Sequence, residues 1–412
     1  MKISLPRQDL VAALNIVRGA ISPKATNPIL ANVSLSVKGK KLELTGTDLD
    51  VTIRTSIGAD VELPGSCTVK ANLLYNIVSS FTGVEPVELE AAKEDVTIKC
   101  GQSKYKLGTL PADQFPPLAK LVDAIEVELP QATLHCLLAN TAFCQGTDAT
   151  RFVLCGSLVR LDGSITVVGC DGRRLACETA LLEMPPDKKM DAILPPATVR
   201  QLLRLLSSDT VKADKTSPPI TMQLAVSAAQ FKFDETIVTT KLIDGAYPDY
   251  TKVIPKNLEK GISVSRVDLL NAIKRVHLVS STCTLIFKGQ SLTITGRGSK
   301  EIPGEATEML LIPLSKDATV NFHTQLLIEA LNAPSDDEVI IHVKESAGST
   351  PMVMKVTDKD WLAVTMPIAK AAEQPTTKPV AKPAAEKKPA KAAVPVAIVP
   401  KPQESVPVAK AA

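Results

Sequence analysis

Hydrophobic positions along this chain alternate between two periods. Near the N-terminus Ile3 and Leu5 alternate with Ser4 and Pro6, which predicts a short strand with one buried face. Leu10, Leu14 and Val17 then recur at helical spacing, while Arg7, Asn15 and Arg18 fall on another face. The phrase returns twice. Ile3-Ser-Leu-Pro-Arg-Gln-Asp-Leu10 is matched by Val127-Glu-Leu-Pro-Gln-Ala-Thr-Leu134 and by Ile262-Ser-Val-Ser-Arg-Val-Asp-Leu269.

Each copy continues in the same way. An alternating strand closes on Leu42-Glu-Leu-Thr-Gly-Thr-Asp48, Ile165-Thr-Val-Val-Gly-Cys-Asp171 and Leu292-Thr-Ile-Thr-Gly-Arg-Gly298. The shared glycine predicts a turn that needs a relaxed φ. A second helix follows near Ala71–Val78, Val199–Leu206 and Gln325–Leu331. The copies lie about 124 and 135 residues apart, which is the size of a domain and too long for a solenoid repeat. The pattern therefore predicts three α+β domains, at 1–122, 123–254 and 255–370, each made of two strand-helix-strand halves.

Between the second and third domains runs a constrained stretch, Thr240 to Asn257. Thr240, Leu242 and Asp244 read as a strand, and Asp244-Gly245 as a tight turn. Pro248 then fixes its own φ and holds Tyr247 extended, so an apolar and aromatic segment sits on a stiff backbone.

Composition adds limits. Aromatics are 3% of the 412 residues, so the cores are aliphatic. No apolar run reaches the ~18 residues of a membrane span, and MKISLPRQDL lacks the apolar centre of a secretory signal. Eight cysteines without C-x-x-C spacing, several in strand-like contexts (Cys155, Cys170, Cys177), fit reduced thiols of a cytoplasmic protein. Four scattered histidines argue against a metal site, and no cofactor motif or phosphate-binding glycine loop is found. The net charge of +3 is unevenly placed. Residues 371–412 carry seven Lys and three Glu, which leaves the rest near −1 and gives no basic body to argue from. That segment holds eight Pro and twelve Ala without bulky periodicity and reads as a disordered tail.

Six strings, in order, carry a resemblance. They are Asn27-Pro-Ile-Leu-Ala-Asn-Val33, Leu44-Thr-Gly-Thr-Asp-Leu49, Thr109-Leu-Pro-Ala-Asp-Gln-Phe-Pro116, Asp171-Gly-Arg-Arg-Leu-Ala176, Leu242-Ile-Asp-Gly-Ala-Tyr-Pro-Asp-Tyr250 and Met366-Pro-Ile368. Residues 1–370 resemble the bacterial DNA sliding clamp, the β subunit of the replicative DNA polymerase. The resemblance implies a non-catalytic homodimeric ring, joined head to tail. Helices would line a channel around duplex DNA and sheets would lie outside. It also implies loading by an ATP-driven clamp loader and tethering of the polymerase through a short peptide motif.

It implies site residues as well. A peptide groove would be formed by Leu154, Cys170, Gly172, Arg173, Arg174 and Leu175, by Pro248, Lys252 and Val253, and by Val364, Thr365, Met366, Pro367 and Ile368. Such aliphatic groups with a flexible Met suit a preformed apolar groove. Arg173 stands where the family commonly has His. Lys24, Gln145 and Arg151 take loop positions implied to contact DNA. By spacing, Arg7, Arg18, Arg200, Arg204, Lys274 and Arg275 join them as cations that hold phosphates without reading bases. Tyr105 and Leu107 would meet Leu278 and Val279 across the subunit seam. Two other classes compete. One is a clamp-like adaptor that binds peptides without encircling DNA. The other is a hydrolase built on Asp48, Asp171 and Asp249, against which the turn contexts of Asp48 and Asp171 favour simple capping.

Removing residues 371–412 is expected to leave the thermal midpoint nearly unchanged, since an Ala/Pro/Lys segment buries little. It is also expected to weaken non-specific DNA binding at low salt only. Melting curves and a salt series of DNA titrations on both chain lengths check this.

Overall fold

The computed structural model describes residues 1–368 apart from 23–26, 118–120, 186–187, 207–216, 259, 300–302 and 345–349, and the side chains of 314–316. The expectations for Lys24 and for the 371–412 tail lie outside the described residues. Among the described residues six helices longer than two turns alternate with strands: α1 (Arg7–Val17), α2 (Ala71–Ser80), α3 (Gln131–Ala139), α4 (Pro196–Leu206), α5 (Arg266–His277) and α6 (Thr324–Asn332). Pro6 and Pro130 precede α1 and α3, where a missing N–H costs nothing. Ser265 caps α5 by accepting the Asp268 N–H at 3.3 Å. The apolar stripe of α1 is buried as its spacing predicts, through Leu10, Ala13, Leu14 and Val17.

Within each copy the two halves exchange their first strands. In the middle copy Ile125–Pro130 leads into α3 yet pairs with Pro219–Leu224 of the second half. Lys189–Leu194, which leads into α4, pairs with Ser157–Asp162 of the first half. The first copy does the same, with Lys2–Leu5 against Val87–Ala91 and Ser66–Lys70 against Asn32–Lys38. The helices consequently pack in pairs, α1 on α2, α3 on α4 and α5 on α6, each pair covering the sheet faces of its own copy.

The sheets do not stop at the boundaries between copies. Thr236–Lys241 pairs with Val51–Gly58, and Arg174–Leu181 pairs with Asp360–Thr365, all antiparallel. Two eight-stranded sheets result, each half from one copy and half from the next. Of the strands left at sheet edges among the described residues, two are the counterparts of those that pair at these boundaries. One is Ser103–Gly108, bonded only to Asp95–Cys100, and the other is the stretch from Glu305 of the strand Glu305–His323, bonded only to Thr282–Arg297.

Three expectations change. The repeated glycines Gly46, Gly169 and Gly296 lie inside strands with no positive φ, so no relaxed turn explains them. What explains them is close approach. A Cβ would come within 2.7 Å of the Val17 carbonyl oxygen at Gly46, 2.3 Å of the Thr141 carbonyl oxygen at Gly169 and 2.6 Å of Val276 Cγ1 at Gly296. In each copy the strand passes against the end of the first helix or the chain just beyond it. The strand expected from Thr240 to Asp244 ends at Lys241. There the Leu242 N–H goes to the Ser227 carbonyl (2.9 Å) and the Ile243 N–H to the Ile193 carbonyl (3.0 Å), so the chain steps from one sheet onto the other. Cys155 closes a one-turn helix, Phe152–Cys155, and is not in a strand.

Candidate functional site at the joint of the second and third copies

The joint begins with the pairing of Arg174–Leu181 and Asp360–Thr365. Leu175 lies opposite Val364, and both are buried on the outer face, where Cys170, Tyr247, Tyr250 and Ile254 pack against them. The Met366 N–H donates to the Arg173 carbonyl at 2.9 Å, which extends the pairing one residue past the strand end. Met366 and Val253 are then left exposed at the rim of this cluster, with Pro248 exposed nearby in the linker. Burial raises the Cys170 thiol's pKa, and the Gly172 backbone opposes that only in part.

Alternation sends the neighbouring side chains the other way. Thr365 falls on the inner face with Ala363 and Trp361, is 1% exposed, and its hydroxyl has no hydrogen-bond partner among the described residues. Arg174 also faces inward. Its Nε bonds Asp171 Oδ2 at 3.0 Å, its Nη1 reaches Glu329 of α6, and its guanidinium lies 5.4 Å from the Phe143 ring centre. Arg174 therefore fastens the third copy to the second, a role that sequence reasoning missed because Glu329 is 155 residues away. Lys252 pairs with Asp249 at 3.4 Å on the exposed linker.

A recess of about 530 Å³ opens beside this groove, with Leu154 and Gly172 in its wall and Arg151 and Arg173 around it. Gly172 sits at φ +87°, in the left-handed region. The same turn places Asp171 Oδ1 as acceptor from the Arg173 and Arg174 N–H groups at 2.8 and 2.9 Å. Asp48 caps its own turn likewise, accepting from Asp50 and Val51. Asp249 accepts from the Thr251 N–H and hydroxyl. The three carboxylates thus serve three separate turns.

The cations expected to meet DNA divide into two groups. Arg204 donates to the Asn15 and Ile16 carbonyls at 3.0 and 2.8 Å, capping the end of α1 from the second copy. Arg18 donates to Asn72 Oδ1 (2.9 Å) and lies 3.9 Å over the Tyr75 ring. Arg275 holds Glu308 through two bonds of 2.8 and 2.7 Å. Gln145 folds back onto Ser157 at 2.9 Å, and Arg151 lines the recess. Arg7, Arg200 and Lys274 form no ion pair among the described residues, and the last two are exposed on helix faces. The residues expected at a subunit seam lie at or beside the two open edges. Tyr105 is 42% and Leu278 80% exposed, too much for core. Leu107 and Val279 are half-buried, and Leu278 and Val279 line a hollow of about 360 Å³.

Three consecutive family models match the chain. They describe the N-terminal, central and C-terminal domains of the DNA polymerase III beta subunit, at residues 1–119, 128–249 and 251–369. The chain belongs to the DNA polymerase III beta subunit family. The beta sliding clamp of Salmonella typhimurium is 30% identical over 358 residues, covering 85% of this chain and 94% of that protein. That of Vibrio cholerae is 27% identical over 376 residues, covering 89% and 100%. The crystal structure of the DNA polymerase III subunit beta from Pseudomonas aeruginosa superposes with a TM-score of 0.83 at 26% identity, over 90% of this chain and 100% of that one. No three His, Cys, Asp or Glu side chains gather as a metal site among the described residues. No described helix is long and apolar enough to cross a membrane.

The joint beneath the groove also contains a buried acid. The Trp361 indole donates to the Asn140 carbonyl at 3.0 Å, and the Asn140 amide donates to Glu178 Oε2 at 2.8 Å. Glu178 lies opposite Trp361 across the strand pair and is 5% exposed. Burial lifts its pKa above the ordinary 4.5, and the Asn140 bond only partly opposes this. The folded chain thus holds this proton more tightly than the unfolded chain. Its contribution to stability is fully present below about 4.5 and is lost as pH rises through the raised value. Glu178→Gln is expected to remove that part of the pH dependence. Trp361 fluorescence during denaturant unfolding between acid and neutral pH reads it, and superimposable pH profiles for the two proteins would refute it.

Proposed function

We propose that this chain works as a DNA sliding clamp. Two copies close head to tail around duplex DNA and hold the replicative polymerase and its loader through short peptides docked at the joint of the second and third copies. The observation that carries the reading is the pair of open edges. They stand in the same relation as the strands that already pair at the two internal joints.

The internal repeat supplies a register for the seam. Gly46, Gly169 and Gly296 mark equivalent places and lie opposite Ile53, Ala176 and Ala306. Ile53 pairs onward with Val238, and Ala176 with Ala363. Tyr105 lies against Ile98 as Val238 lies against Phe231 and Ala363 against Met354. Carried to the open edges, this register sets Tyr105 opposite the partner's Ala306 and Lys106 opposite the partner's Glu305. Charges then alternate across the seam. Lys106 already holds Asp95 at 2.9 Å, and Glu305 already holds Arg297 at 2.6 Å, so the two pairs join into a row of four. Leu278, Met309 and Leu311, all well exposed in one copy, lie at or beside this edge. Burying one such side chain contributes roughly 1.5–3 kcal/mol.

Arg200 and Lys274, exposed on the helix faces, would meet phosphates and give binding that is salt-sensitive and blind to sequence. With most other candidate cations tied to protein partners, retention would rest on encirclement more than on affinity. At the groove, Met366 and Val253 would take apolar anchors, and the backbone past Thr365 would pair with an extended peptide. A DnaN sliding clamp from Pseudomonas aeruginosa has been solved with bound griselimycin, so a protein 26% identical to this chain accommodates a ligand. We place the protein in the cytoplasm, where such a clamp meets the chromosome.

The test is topological. Loaded on nicked circular DNA with clamp loader and ATP, the protein is expected to stay bound through gel filtration in moderate salt. It should leave when the circle is cut. Leu278→Asp is expected to be monomeric in sedimentation and not retained on either DNA. Equal retention on circular and linear DNA would favour the adaptor reading.

A further inference from the structure

The two internal joints share a device that lies away from their strand pairs. Since Val127 repeats Ile3, Asn140 at the end of α3 repeats Ile16 at the end of α1. The carbonyl of each takes a donor from the following copy. Arg204 of α4 reaches the Ile16 carbonyl with Nη2 at 2.8 Å and the Asn15 carbonyl with Nη1 at 3.0 Å. The Trp361 indole reaches the Asn140 carbonyl at 3.0 Å. Carbonyls at a helix C-terminus run short of N–H partners within the helix, and a positive charge is favoured there. A strand pair alone is a line about which two bodies can turn. A tie on the helix layer lies off that line and fixes the angle between the copies it joins.

The two ties differ in how well they are shut away from water. Trp361 is 1% exposed, and the amide of its acceptor residue continues to the buried Glu178. Arg204 is exposed, with its Nε held by Gln201 Oε1 at 2.9 Å. Arg18 stands near it with the same charge, so partial burial first and Arg18 second hold the Arg204 pKa below the usual arginine value. The strand pair of this joint carries an ion pair at each end, Lys41 with Glu235 at 2.7 Å and Lys241 with Asp50 at 3.0 Å, every member more than half exposed. Such surface pairs contribute little. α1 and α4 do not pack along each other's length. Gly19 makes room for the guanidinium where their ends meet. A Cβ there would come within 2.4 Å of Arg204 Nη2 and 2.0 Å of Gln201 Oε1.

We propose that the joint of the first and second copies is the hinge at which the ring opens, and that Arg204 is its latch. With the cap in place, the first copy stands at the angle that brings the open edges of two chains together. With the cap broken, the first copy swings, while the second and third copies, tied through the buried Trp361, move as one body. This rests on the ring reading above and adds to it the residue that holds the ring shut. Arg204 is then a positioning residue, and its guanidinium serves the protein's own carbonyls in place of phosphates.

The test measures both joints in the full-length protein. The chain has eight cysteines, so spin labels are carried on non-natural amino acids. One pair, at Val84 and Leu181, spans the first joint, and another, at Val226 and Lys288, spans the second. All four positions are exposed. Labelled chains are diluted with unlabelled ones, so that distances are read within one chain. Arg204→Gln is expected to broaden the first distance distribution and to leave the second as in the parent chain. Gly19→Ala should do the same from the other side of the contact, because its methyl group meets the ends of two flexible side chains. Combining the two changes should add little to either alone. Unlabelled variants loaded on nicked circles are expected to leave about tenfold faster, as the loss of one hydrogen bond to a charged group would give. Unchanged distances across the first joint, or equal broadening of both joints, would overturn the latch and leave the ring reading standing. Faster release with unchanged distances would make Arg204 a phosphate contact, which also overturns it, as would broadened distances with release unaltered. A parent chain that leaves circular and linear DNA equally fast would remove the ring reading and this one with it.

Discussion

An exposed strand edge is a row of unpaired N–H and carbonyl groups that must be paired, covered or blunted. That constraint organises the whole chain. Each copy builds two sheets and so has edges to satisfy. The first and second copies share one continuous sheet through Val51–Gly58 and Thr236–Lys241, and the second and third share another through Arg174–Leu181 and Asp360–Thr365. Of the edges that remain, two, one at each end of the series, are the counterparts of strands already paired inside the chain. A second copy of the same chain offers the missing partner for both. A repeated head-to-tail contact of this kind closes into a ring when its rotation allows.

The same pairing shapes the proposed groove. Because the sheet runs across the second joint, Leu175 and Val364 come to face the linker together, although 189 positions separate them. Three polar contacts, two of them buried, then keep that joint in register. The Trp361 indole reaches the Asn140 carbonyl, the Asn140 amide reaches Glu178, and Arg174 spans Asp171 and Glu329. The linker lies over the outer face with Tyr247, Tyr250 and Ile254 inward, which leaves Met366, Val253 and Pro248 at the surface. A rigid joint gives a preformed groove, and a preformed groove loses little entropy when a short peptide docks.

Local pattern made much of this legible. The threefold repeat, the six helices and the apolar stripe of α1 follow from periodicity, and the family follows from six strings in order. The opposing case is instructive where local reasoning named a residue correctly and gave it the wrong cause. Gly46, Gly169 and Gly296 are equivalent, but their requirement is space beside the end of a helix, which no single strand reveals. Arg204 has the helical spacing of a surface cation, yet the carbonyls it caps belong to another copy. Arg151, expected in a loop that faces DNA, lies over Gly172. In each case the deciding contact is long-range, and sequence spacing carries no information about it. The strand that ends at Lys241 fails for the same reason. Its next two N–H groups find acceptors at Ser227 and Ile193 on different sheets.

The central claim is that the two open edges pair with each other in the register of the internal joints. A disulfide across the seam tests it most directly. In that register Tyr105 and the partner's Ala306 form a non-hydrogen-bonded pair, whose Cα atoms approach to about 4.5 Å, within reach of a disulfide. Mixing a Tyr105→Cys chain with an Ala306→Cys chain under mild oxidation should give a covalent two-chain species that reducing agent reverses, and neither variant alone should. Absence of that species, together with efficient trapping by Tyr105→Cys with Glu308→Cys, would show a seam shifted from the repeat's register. No trapping by either pair would contradict edge-to-edge closure altogether.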